Sequence, residues 1–237
     1  MSEVTICNLA LSHLGDTAAV VSISPPDPSV QAQLCARFYY FARNALLEMA
    51  SWSFATKRVQ PAELTVETVT DADGNANQTW CHSYAMPSDM LNGLAVISPD
   101  APDDYEGWLG PVEKDLFPPY PQGYLPVPGA PVTAPQPFAM ETQADGTQII
   151  LTNVANAVLR YTAVVSDTTK FTPLFTLALS YLLASMLAGP IIKGDESRAV
   201  QEQMLQVFEA TKGQATASDA NQRKTRVEPA PSWIRGR

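Results

Sequence analysis

The polar and apolar positions of this chain fall into three regimes: helical spacing at the start, short-period alternation in the middle, and helical spacing again towards the end. Behind Ser2, residues Val4, Cys7, Leu11 and Leu14 recur at steps of three and four, which predicts a short capped helix stopped by Gly15. Asp16 to Pro26 reads as a connector. Asp27-Pro28 then has the chemistry of a cap and first turn for a long helix running to about Trp52. On that helix Leu34, Phe38, Phe41, Ala45, Met49 and Trp52 form one stripe, and Tyr39, Tyr40 and Leu46 widen the apolar surface beyond what a single neighbour covers.

From Ser53 to about Val165 the helical period gives way to proline, glycine and β-branched residues. Phe54 to Val59, Leu64 to Thr70, Thr79 to Ala85, Leu94 to Ser98, Phe138 to Thr142, Gln148 to Leu151 and Ala157 to Val165 are the predicted strands. Asp71 to Asn75 and Asp145-Gly146 read as hairpin turns. The stretch 99–137 holds more than half of the prolines, interleaved with Tyr105, Trp108, Phe117, Tyr120 and Tyr124. Ladders cannot form there, and the aromatic content predicts a docked interaction arm.

Phe171 to Ile192 contains no charged residue. An apolar run of about 20 residues is long enough to cross a bilayer, but a helix apolar on every side also suits the centre of a bundle or a subunit contact. Thr172-Pro173 is a helix start. Thr176, Ser180 and Ser185 interrupt the run, Gly189-Pro190 is expected to break or kink it, and Lys170 and Lys193 set no membrane orientation. The buried helix is the preferred reading, with a span over 171–192 as its rival. Gly194-Asp195 turns the chain into a further helix to about Lys212, with Val200, Met204, Val207, Phe208 and Thr211 inside, so the two form an αα-hairpin.

The pattern predicts an α+β fold: an N-terminal helical part (1–58), a β-rich insertion (59–165), a C-terminal αα-hairpin completing the bundle (166–220) and an arm (221–237). Only 16% of residues are charged against a usual figure of about 25%, so much of the surface is expected to be hidden against other subunits. The net charge of -9 argues against coating nucleic acid. Yet Arg223, Lys224, Arg226, Arg235 and Arg237 face only Glu228 in the last stretch, which makes the tail basic. The beginning of the chain lacks the features of a secretory signal, and an odd count of three cysteines without C-x-x-C spacing predicts reduced thiols in a cytoplasm.

Few residue constellations carry chemistry. Asp71, Asp73 and Asn75 have the first spacing of a calcium loop, but the glycine and the bidentate glutamate are misplaced, and a hairpin turn explains the same residues. Cys81-His82 could supply a nucleophile and base of a small hydrolase, although neighbours on a strand point to opposite faces. Cys7 and Cys35 lie on helical stripes as core thiols, and His13 sits at a helix end. Asn77-Gln78-Thr79 matches a glycosylation sequon, and no phosphate loop, nucleophile elbow or H-E-x-x-H pair occurs. No enzyme activity, cofactor or metal is expected.

The opening I-C-N-L-A-L-S-H-L-G-D, the Trp52-Ser53-Phe54-Ala55 corner, Tyr84-Ala85-Met86-Pro87-Ser88-Asp89, the segment GTQIILTN from Gly146, and the hairpin from Phe171 to Lys212 come in an order and spacing that resembles the tail tubular protein A, or head-to-tail adaptor, family of short-tailed bacteriophages. The resemblance spans nearly the whole chain except the proline-rich loop, which looks longer than the family needs. It implies a virion protein in a twelve-subunit ring beneath the portal, joined to the distal tail nozzle, with double-stranded DNA passing through the channel and no membrane partner. Leu179, Leu183, Trp52 and Phe54 are then expected at subunit contacts. It also implies a portal-docking arm at the C-terminus, where Trp233 and Ile234 beside Arg235 have the composition of an anchor.

Overall fold

A computed structural model describes residues 1–65, 80–99, 136–143 and 145–222. The fold is α+β, and the described residues divide into two compact units.

The first unit comprises residues 1–57, 89–92 and 162–222. It holds helices α1 (Glu3–His13), α2 (Val30–Glu48), α3 (Pro173–Ile192) and α4 (Glu196–Ala220). Each start has a local cause. Ser2 accepts the Thr5 N–H at 3.1 Å, and Thr172 accepts the Phe175 N–H at 3.2 Å with Pro173 behind it. The cap of α2 is Ser29, which accepts the Ala32 N–H, so the expected Asp27-Pro28 start lies just upstream. Asp27 instead takes the Val21 and Ser29 N–H groups and the Ser29 hydroxyl. Those donors, Ser29 foremost, hold its carboxyl down to about 2.

α3 is the axis on which α1, α2 and α4 pack. No residue from Leu174 to Ala188 is exposed. By length and composition it is the one helix among the described residues able to cross a membrane, but a lipid-facing helix would leave a stripe uncovered, and α3 leaves none along this stretch. Gly189-Pro190 does not stop it. The helix runs on to Ile192 and ends where Lys193 (φ 56) and Gly194 (φ 78) turn left-handed. α4 likewise outruns its expected end near Lys212 and reaches Ala220, because the helix absorbs Gly213 and Ala215, Thr211 and Asp219 still find buried places.

The second unit comprises residues 58–65, 80–88, 93–99, 136–143 and 145–161. β2 (Glu63–Leu64), β3 (His82–Ala85), β5 (Phe138–Thr142) and β6 (Gln148–Thr152) form an antiparallel sheet in the order β2-β3-β6-β5. The expected Asp145-Gly146 turn joins β5 to β6. Gly146 takes φ 89, and Asp145 accepts the Thr147 N–H at 2.8 Å. β6 is central and nearly all buried, with Ile150 opposite Tyr84 on one side and Met140 on the other. β1 (Thr56–Val59), β4 (Met90–Ile97) and β7 (Val158–Ala163) form a second sheet ordered β1-β7-β4, each strand carrying residues of both units. The expected strand from Phe54 starts only at Thr56, since Ser53–Ala55 is a 3-10 turn. The turn at Asp71 to Asn75, most of the proline-rich loop and the basic arm lie outside the described residues.

Candidate assembly surface

α2 carries two apolar stripes, and the fold buries the less conspicuous one. Ala32, Cys35, Tyr39, Ala42 and Leu46 are fully buried. Their small members let the helix approach its neighbours closely. The stripe that dominates the sequence lies further out. Phe41 and Val30 are each 66% exposed and Met49 51%, while Leu34, Phe38 and Ala45 are half-buried. Exposed Arg37 and Glu48 stand on the same side. The expectation that this helix meets more than one neighbour came from counting both stripes. Which one faces inward was hidden because bulk, not closeness of approach, dominates a hydrophobic pattern.

Of the four residues expected at subunit contacts, Leu179, Leu183 and Trp52 lie inside the subunit. Leu179 and Leu183 are 0% exposed and Trp52 1%, so their side chains have no surface left for a neighbour. Trp52 donates its indole N–H to the Leu46 carbonyl at 2.9 Å. Its ring meets Phe175 edge-on at 5.0 Å, and half-buried Phe54 joins the same cluster, 5.0 Å from Phe175 and 5.7 Å from Phe171. These aromatics close one end of the bundle.

Beside that cluster, buried Asp219 near the end of α4 accepts the Ser53 N–H at 2.9 Å and the Ser53 hydroxyl at 2.6 Å. The end of α4 is thus tied to the corner that follows α2. Sequence reasoning missed this tie, because nothing local marks a partner 166 residues away. Arg223, Lys224, Arg226, Trp233, Ile234, Arg235 and Arg237 lie outside the described residues.

The polar candidates occupy ordinary structural places. Cys81 is exposed, and its N–H donates to Asn153 Oδ1 at 2.8 Å. His82 Nδ1 lies 2.7 Å from Glu63 Oε1 on the neighbouring strand, an arrangement that would orient the imidazole as an acid or base. Cys7 and Cys35 are buried. The Cys35 side chain beside it and burial push the Cys7 thiol up, which keeps it protonated and unreactive. His13 Nε2 lies 3.0 Å from Ser180 Oγ, and its ring stacks on Tyr181 at 4.1 Å. Because the Ser180 hydroxyl donates to the Leu177 carbonyl, the imidazole is the donor in this pair. Among the described residues, no three His, Cys, Asp or Glu side chains gather to hold a metal ion.

The class these features define is an α+β protein with a four-helix unit that covers its uncharged helix but leaves Val30, Phe41 and Met49 exposed along one side of α2. Compared with known proteins, the chain matches no protein-family model and no curated sequence.

Proposed function

We propose that the chain is a structural virion protein, the head-to-tail adaptor of a short-tailed bacteriophage. It assembles as a ring, by family resemblance of twelve copies, between the portal and the distal tail nozzle, and double-stranded DNA leaves through the lumen without sequence-specific contacts. The observation that carries this reading is the exposed apolar face of α2 on a chain with only 16% charged residues; such a face wants a protein cover. The order of the resembling segments supports it. The opening motif covers most of α1 and its end, Trp52 to Ala55 is the corner after α2, Tyr84 to Asp89 joins β3 to β4, and GTQIILTN contains β6. Assembly takes place in the host cytoplasm.

Electron microscopy of the purified protein, alone and after incubation with DNA-filled heads that lack tails, tests the reading. Rings in solution or seated at the portal vertex are the expected result. Particles that never form rings and never bind heads would refute it.

A further inference from the structure

The faces that meet between copies can be named from α2 and α4. The two helices each pack on α3 and share little contact with one another, so their outer sides serve as separate faces, as a head-to-tail contact requires. They run in the same direction: the corner after α2 is tied to the end of α4 through Ser53 and Asp219. A rotation about an axis along the helices therefore sets α2 of one copy parallel to α4 of the next.

At two positions one turn apart the two surfaces match, one in shape and one in charge. α2 presents bulk, with Phe41 66% exposed one turn beyond exposed Arg37. α4 presents the counterpart at the same spacing, with exposed Glu209 one turn before exposed Gly213. Glu209 Oε2 already pairs with Lys212 at 2.5 Å, and Oε1 remains for a guanidinium. Gly213 needs its own explanation, since a glycine inside a helix destabilises it relative to alanine. Within the chain there is none: a Cβ at Gly213 would meet nothing within 4 Å, and no left-handed φ is required there.

We propose that the α2 face of one copy docks in parallel on the outer face of α4 of the next, with Phe41 seated over Gly213 and Arg37 against Glu209. Ala45 then falls opposite Ala217, one turn further on, where both helices are slim. The contact deepens the ring reading by naming its two faces, and rests on it only for closure of the ring.

Phe41→Ser and Gly213→Leu test it, because neither touches the core of the subunit. In sedimentation velocity the wild-type chain should associate with rising concentration, and each variant should stay monomeric with unchanged helical circular dichroism. An equimolar mixture of the two variants keeps one good α2 face and one good α4 face, so it should yield a species of two subunits and nothing larger. Variants that associate like the wild type, a mixture that stays monomeric, or a wild-type chain monomeric at the highest concentration reached would each overturn the contact. Rings indifferent to both substitutions would remove the contact and leave the adaptor reading standing. Open chains abolished by both would do the reverse.

Discussion

At the scale of single residues, two polar groups, one buried and one half-buried, give measurable expectations. Asp219 is buried and takes two hydrogen bonds from Ser53. Bonds to a charged acceptor are worth about 1.5–3 kcal/mol, so Asp219→Ala should lower stability to urea by about that amount. In a double-mutant cycle, adding Ser53→Ala should cost much less than it does alone; fully additive losses would show that the two groups do not act together. For His13, burial lowers the pKa below its ordinary 6.5. The unfolded chain then binds a proton more readily than the folded one, so stability is complete above about pH 6.5 and declines as pH falls through that value, levelling only below the folded pKa. His13→Gln should flatten this slope in urea titrations between pH 7 and 5. Its role as a donor to Ser180 was not legible from the sequence, where only its place at a helix end could be read.

At the scale of elements, α3 shows what a hydrophobic pattern can and cannot deliver. Its start, its lack of a polar face and its place among other helices followed from composition, since an uncharged helix must be covered somewhere. Its partner was not legible, and Leu179 and Leu183 turn out to face only their own subunit. Leu183→Ala should therefore destabilise the monomer by about 2–5 kcal/mol through lost burial and a residual cavity, seen as a lower midpoint in urea. Leu179→Asp should leave insoluble or unfolded chain, because an unpaired charge cannot be accommodated at a fully buried site. A folded, soluble Leu179→Asp variant would contradict the burial itself. The strands were legible where turn chemistry pinned them, as at Asp145-Gly146. They were misplaced where a corner intervened, as at Ser53–Ala55. One helix end went astray at Gly213, and Gly189-Pro190 does not break α3 before its expected end at Ile192, because in both places the rest of the helix outweighs a poor residue.

At the scale of the whole molecule, the chain leaves the four-helix unit and returns to it more than once, so the helical unit is assembled from segments far apart in sequence. The basic tail, by contrast, follows its last described helix, and among the described residues the apolar core of that unit reaches no further along the chain than Ala215. Truncation after Gln222 should leave the thermal midpoint and self-association unchanged while abolishing attachment to tail-less heads. Trp233→Ala alone should weaken attachment by about 2 kcal/mol if that ring is an interface hot spot. Normal attachment of truncated protein in a head-binding assay would move the docking role to another surface. The Ser53–Asp219 tie has a mechanical consequence as well. A helix loaded by tension at a free end unravels one turn at a time, each step yielding at low force. Here a pull on the chain after Gln222 reaches two bonds at Asp219 before it reaches the upstream turns, and these hand the load to the corner at Ser53. α4 thus behaves as a strap riveted near its tip, able to bear a tug on the chain beyond it without peeling away from the bundle.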